Sequence, residues 1–251
     1  MIAILCGFSF LAGFIDSIVG GGGLLQLPAL LVLLPGTPVA TLLGTNKLVS
    51  IAGTSMAAWR YGRHVTIDWH VVAPSAFTAF AFSYLGSRSV SLLDPALLRP
   101  LILALLICVA TYIGLMKTIG MVHVPRHAPL KARWIGVLTG AGLGFYDGFF
   151  GPGTGSFLIF IFVGLLGFDF LCASAAAKVI NVGTNLASVI YFASSDHIRY
   201  QVALPMAFWN ALGSLIGSRL ALLKGSRFIR RFFLTVVSAL ILKLTWDLAR
   251  V

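Results

Sequence analysis

The sequence predicts an all-α polytopic membrane protein, made of two inverted-topology helical repeats whose helices break or re-enter at glycine-rich motifs. Composition is the first observation behind this. Hydrophobic residues make up 59% of the 251-residue chain and charged residues 10%, with a mean hydropathy of +0.98, far from the mix of a soluble domain. The second is an internal match at an offset of 131 positions without a gap. Gly13, Phe14, Asp16, Gly20 and Gly22 fall on Gly144, Phe145, Asp147, Gly151 and Gly153, then Lys47 on Lys178, Pro74 on Pro205, and Gly86-Ser87-Arg88 on Gly217-Ser218-Arg219. Charge, glycine and proline recur, which a match of mere composition would not produce. The third is the placement of basic residues in the gaps between apolar runs.

Each half contains five apolar segments, a to e, at about 1–18, 24–35, 38–61, 69–88 and 97–118, and again 131 residues later. Segments c, d and e come close to or exceed the ~20 residues that cross a bilayer core. Segments a and b are shorter. They are separated by Gly20 to Gly23 in the first half and by Gly151-Pro152-Gly153-Thr154-Gly155 in the second. Such a run ends one helix and starts another at membrane depth, which is tolerated only where the backbone faces protein or a water-filled cavity. The chain thus reads as one transporter domain: repeat 1 at about 1–118, a linker at 119–133 rich in Pro, Arg and Lys, and repeat 2 at about 134–251.

The loops orient the repeats. Arg60, Arg63 and His64 follow segment c of the first half, and Lys117, Arg126, Lys131 and Arg133 follow e. Lys224, Arg227, Arg230 and Arg231 follow d of the second half. By the positive-inside tendency these loops are cytoplasmic, and the linker with them. The first d–e loop and the second c–d loop carry less basic charge and read as external. Equivalent loops on opposite sides require an odd number of crossings per repeat: five if a and b both cross, three if they form a re-entrant hairpin. Either count leaves both termini outside a bacterial inner membrane. Trp59, Tyr61, Trp69, Trp134 and Tyr200 flank the spans as interfacial aromatics. The N-terminal apolar stretch lacks a basic n-region and a cleavage site, so no removable signal peptide is expected.

Several functions fall away. The net charge of +11 arises because 18 Lys and Arg face only seven acids, all Asp. It sits in short inter-span gaps, so nucleic acid is not the expected partner; the lipid bilayer is. Three cysteines inside apolar runs give no disulfide framework and read as small core residues. His123 and His127 are four apart, but Pro125 lies between them and no carboxylate or Cys is near in sequence, so no metal site is expected. Asp68, Asp169 and Asp196 stand at loop edges and read as solvated. No Ser-His-Asp or Cys-His grouping offers a catalytic residue, no P-loop spacing occurs, and no cofactor is implied.

What remains are ionisable groups inside apolar segments. A Lys at the bilayer centre costs at least ~2.5 kcal/mol on insertion scales, so a functional or pairing role is the default reading. On a helix, Lys47, Ser50 and Thr54 share one face of segment c; Lys178, Asn181, Asn185 and Ser188 share the matching face of its copy. The two lysines make a plausible paired site for a small anion, with Asn46, Ser50, Asn181, Thr184 and Asn185 as hydrogen-bonding groups. The alternative is that Lys47 and Lys178 pair with Asp16 and Asp147 as internal salt bridges that hold the hairpin against segment c. Asp16 and Asp147 are also candidates for coupling or gating, with protons as the coupling ion. The breaks around Gly22, Gly23, Gly153 and Thr154 would aim helix N-termini inward, a second device for anions. The expected function is a secondary transporter of a small anion by alternating access at the repeat interface. An anion channel and a non-transporting assembly protein remain open.

The stretches Gly13-Phe-Ile-Asp-Ser-Ile-Val-Gly-Gly-Gly-Gly-Leu, Gly44-Thr-Asn-Lys-Leu, Gly144-Phe-Tyr-Asp-Gly-Phe-Phe-Gly-Pro-Gly-Thr-Gly-Ser and Ala177-Lys-Val-Ile-Asn resemble the TauE/SafE sulfite-exporter family. The resemblance runs from about residue 7 to 247 and is nearest the branch named only as inner-membrane transporters; a short N-terminus is the one departure. It implies a secondary carrier of small anions of the sulfite and organosulfonate type; the residues themselves do not distinguish these from a plain carboxylate.

Overall fold

The computed structural model describes residues 1–92 and 120–248. Segment e of the first half, with Arg99, Cys108 and Lys117, lies outside them. Every regular element among the described residues is a helix. The protein is an all-α polytopic membrane protein.

Helix α1 (Ile2–Val19) is an unbroken apolar run that stops at Gly20, whose φ of 79° is the left-handed conformation a glycine adopts freely. After the Gly run, α2 (Gly23–Leu33) has 11 residues and reaches about 16 Å, roughly half the thickness of a hydrocarbon core. Pro38 precedes α3 (Val39–Gly62), and Asp68 caps α4 (Trp69–Arg88) by accepting from the His70 amide at 3.1 Å. A 3-10 turn (Ser89–Leu92) follows. In the second half, α5 (Pro129–Phe149) opens with a proline, which is pre-set for the first helical position. Gly153, at φ 90°, starts α6 (Thr154–Ile161), and a π-helical turn (Phe162–Leu166) extends it. Asp169 caps α7 (Phe170–Ser194), and α8 (Tyr200–Leu248) follows.

One expected loop is absent. Lys224 to Arg231 lie within α8, interrupted only at Gly225, where φ 67° and ψ −170° break the helix. A single glycine therefore does the work expected of a basic loop. Tyr61 is also corrected: it is fully buried and donates its hydroxyl to the Ser17 carbonyl at 2.8 Å, whereas Trp59, Trp69, Trp134 and Tyr200 are exposed as an interfacial set would be.

By length and composition, Ile2–Val19, Phe170–Ser194 and Tyr200–Ala239 are apolar enough to cross a membrane. The outer surface carries Val32, Phe77, Leu138, Phe208 and Leu223, while the interior combines an apolar core with buried Ser, Thr, Asn and Lys side chains. That is the distribution a lipid solvent selects.

Each half packs against the other through equivalent helices. In α1, Ser9 donates to the Met206 carbonyl of α8 at 2.8 Å, Gly13 lies against Asn210 and Gly217 against Phe14 and Ser17, so these helices run parallel. In the equivalent pair, Gly136 and Gly140 of α5 meet Ser75 of α4, Gly144 meets Ala79 and Gly148 meets Ser83, again parallel. Between them α3 and α7 cross the centre antiparallel, with Gly44 against Phe192 and Thr54 against Asn185. The last two residues occupy the same register position in the 131-residue match.

Candidate functional site

The C-terminus of α1 ends inside the protein, and its exposed carbonyls are met one by one. Tyr61 donates to Ser17, Ser174 to Ile18 and Ser156 to Val19, at 2.8, 3.1 and 2.8 Å. The last turn of a buried helix needs such partners because no water serves it. The two breaks then touch. A Cβ on Gly20 would stand 2.3 Å from the Gly155 backbone, and one on Gly155 would stand 2.6 Å from Gly20. Only glycine at both positions lets the chain cross here.

Around this crossing lies a polar cleft of about 30 Å³. Asp16, Gly23, Asn46, Lys47, Ser50, Asp147, Gly153, Thr154, Asn181 and Asn185 line it together with Thr54 and Gly151. All the expected site residues are brought to it except Lys178, Thr184 and Gly22. Lys178 lies just behind, fully buried. Thr184 is buried at the α4 contact, where its hydroxyl returns to the Asn181 carbonyl and its carbonyl accepts from Ser83. Gly22 donates its amide to Asp16 Oδ1 at 3.4 Å.

The charges pair across the two halves. Lys47 Nζ is 2.7 Å from Asp147 Oδ2, and Lys178 Nζ is 2.8 Å from Asp16 Oδ2. Each lysine thus takes the carboxylate of the opposite repeat, not the one beside it in its own hairpin. The two pairs are not equal, since the Asp16 side chain is 20% exposed and that of Asp147 7%. Gly151, at φ 98°, leaves room for Lys47: a Cβ would stand 3.1 Å from its Nζ.

The neutral groups divide into two kinds. Asn185 Nδ2 donates to Thr54 Oγ1 at 3.3 Å, and Thr154 donates to the Gly151 carbonyl at 2.7 Å, so both are engaged within the protein. Asn181 lines the cleft while its buried Oδ1 has no hydrogen-bond partner. Its amide can present either an acceptor or two donors there.

A network that the sequence reading missed supports Asn46. Gln26 Nε2 donates to Asn46 Oδ1 at 2.8 Å, and Gln26 Oε1 accepts from Asn210 Nδ2 at 3.0 Å. Asn210 also donates to the Ser9 carbonyl at 3.0 Å. These four residues are buried and come from α1, α2, α3 and α8. Their counterparts in the other half are Gly140, Phe157, Ala177 and Ala79, so the repeat gave no signal for them; a lone Gln in an apolar segment was the available clue.

One further expectation fails at the linker, and a grouping is found there that spacing along the chain does not show. His123 does have a carboxylate and a cysteine near it in space, because Asp169 and Cys172 at the start of α7 fold against it. Asp169 is not solvated: its side chain is 15% exposed, and Oδ1 accepts from the Leu171 and Cys172 amides and the Ser226 hydroxyl. Burial pushes its pKa up, but those hydrogen bonds outweigh it and hold the carboxyl below the usual carboxylate range.

A helical protein with an apolar outer surface and ionisable groups buried among its central helices belongs among the polytopic membrane transporters. The comparisons agree. The family model described as sulfite exporter TauE/SafE matches residues 5–244, and the chain belongs to that family. A "Probable membrane transporter protein ORF9" of Sinorhizobium sp is 36% identical over 98% of this chain and 93% of its own. A "Probable membrane transporter protein" of Haemophilus influenzae is 34% identical over 98% and 95%. The "Probable membrane transporter protein YfcA" of Escherichia coli K12 is 34% identical over 98% and 90%. No solved structure matches the chain.

Proposed function

We propose that the protein is a secondary carrier of a small anion, of the sulfite, organosulfonate or carboxylate type, that binds at the cleft between the halves. The observation that carries this reading is the pair of crossed ion pairs, Lys47 with Asp147 and Lys178 with Asp16, at the contact of the two glycine breaks. A lysine buried in hydrocarbon needs a counter-charge; an incoming anion can take that place if the carboxylate moves away or takes up a proton. Asn46, Ser50 and Asn181 would then supply hydrogen bonds.

The antiparallel course of α3 and α7 supports reading the halves as inverted repeats. In such a fold, rocking one half against the other opens the cleft to alternate sides and must separate the two ion pairs in turn. Asp16, the more exposed carboxylate, is the natural first partner to release. The protein would sit in the inner membrane with both termini outside.

The test is flux into proteoliposomes loaded with sulfite, a sulfonate or a carboxylate. A carrier saturates and shows counterflow, and Lys47→Ala with Lys178→Ala abolishes both. Linear flux without counterflow would make the protein a channel; flux unchanged in the double variant would remove the anion site from this cleft.

A further inference from the structure

On the linker side of the molecule, away from the cleft, three side chains of different chemistry converge. His123 comes from the linker, Asp169 caps α7 and Cys172 lies in its first turn; one ligand atom of each lies within 4.8 Å of the others. His123 Nδ1 is 3.8 Å from Asp169 Oδ2. We propose that His123, Asp169 and Cys172 form a binding site for a borderline-soft divalent cation of the Zn²⁺ class.

The donor set makes the choice of ion. One imidazole nitrogen, one sulfur and one carboxylate oxygen suit Zn²⁺ and Co²⁺, whereas Mg²⁺ and Ca²⁺ take oxygen cages. With bonds of about 2.0 to 2.3 Å, donors in a tetrahedral site stand roughly 3.3 to 3.7 Å apart. The His–Asp separation is already near that, and since no pair exceeds 4.8 Å the closure needed is about 1 Å or less, a distance that side-chain rotations span.

Helix capping and a hydrogen bond between the Cys172 thiol and Asp169 account for those two residues but not for His123. Capping and the Ser226 hydroxyl occupy Oδ1 of Asp169 and leave Oδ2 turned toward His123. Hydrogen bonds of this kind orient a ligating carboxylate. The His123 ring is held in turn by Phe168, centroids 4.8 Å apart. A cavity of about 200 Å³, lined by His123, Cys172, Asp68 and Thr66 among others, adjoins the cluster and gives a fourth position to water.

An ion here would tie the linker to the start of α7 and, through Asp169, to Ser226 of α8. The linker is already stitched to the turn before α7 by Val124 to Gly167 and Phe170 to Gly120, at 2.9 and 2.8 Å. Ser226, next to the Gly225 break of α8, meets the same Asp169. The proposal does not depend on which solute crosses the cleft.

The experiment uses the full chain in detergent with Cys6→Ser and Cys108→Ser, so that Cys172 is the sole thiol. Co²⁺ is the probe and Zn²⁺ the competitor. One equivalent of Co²⁺ should bind with sulfur-to-cobalt charge-transfer absorption that Zn²⁺ bleaches, and Zn²⁺ should slow alkylation of Cys172 several-fold. His123→Ala and Asp169→Asn should each weaken Co²⁺ binding by at least about tenfold; asparagine keeps the helix cap, so that loss reports the ligand and not the fold. Absence of the charge-transfer band at millimolar Co²⁺, an alkylation rate indifferent to Zn²⁺, or undiminished binding in His123→Ala would each overturn the site.

Discussion

Lys47 and Asp147, 3% and 7% exposed, are each the counter-group of the other in the buried interior. Removing one partner leaves a buried charge unmatched, at about 3–5 kcal/mol, whereas replacing both with apolar groups is often neutral. Lys47→Met should therefore lower the unfolding temperature in detergent, and Lys47→Met with Asp147→Leu should recover most of it without restoring flux. A recovery of both would make the pair structural alone. Asn210→Leu removes a donor from the Ser9 carbonyl and the nearer of the two donors to Gln26 Oε1, which keeps only the Ser9 hydroxyl at 3.4 Å, and about 1–3 kcal/mol of stability should go with it; chemical denaturation of the variant gives the value. The contrast shows what was legible. Lys47 and Asp16 could be read from the chain because a charge repeated inside apolar segments has few explanations. Gln26 and Asn210 could not, because their counterparts are Phe157 and Ala79 and a repeat amplifies only what both copies keep. Thr184, expected among the hydrogen-bonding groups, lies on the right helix but against α4, outside the cleft.

Elements were legible wherever glycine or proline marked an end. The first-half segments a to d match α1 to α4 within about two residues, and the breaks fall at the predicted runs, because a backbone with φ above 60° needs Gly there. The α8 junction misled for a physical reason: four basic residues look like a loop, yet one Gly at φ 67° turns the chain while they stay helical. Packing also sorts the glycines. Gly13 lies on the Asn210 carbonyl, 2.1 Å from where a Cβ would be, and Gly144 would be 2.6 Å from the Ala79 backbone, while Gly7 and Gly142 face open space. Gly13→Ala and Gly144→Ala should push α1 from α8 and α5 from α4, cutting the yield of monodisperse protein on size exclusion. Gly7→Ala and Gly142→Ala should elute as the parent does.

Across the whole molecule the two halves meet along α3 and α7, and Thr54 with Asn185 marks the crossing. A carrier that rocks its halves must shear that contact. Thr54→Cys with Asn185→Cys should form a disulfide under mild oxidation and stop flux, and reduction should restore it; flux that continues through the cross-linked protein would rule out motion between these helices.

The same contact bears on ancestry. Thr54 and Asn185 are one position of the 131-residue match facing itself; were that match the mark of a half-length ancestor that paired with its own copy about a two-fold axis, the residue could only have met its own twin. Two threonines or two asparagines would have been the available choices. Joining two such copies into one gene would remove that constraint, and a hydroxyl could then face an amide, with donor and acceptor assigned. Fusion would thus have allowed the centre of the molecule to become chemically one-sided before anything else about the halves had to differ.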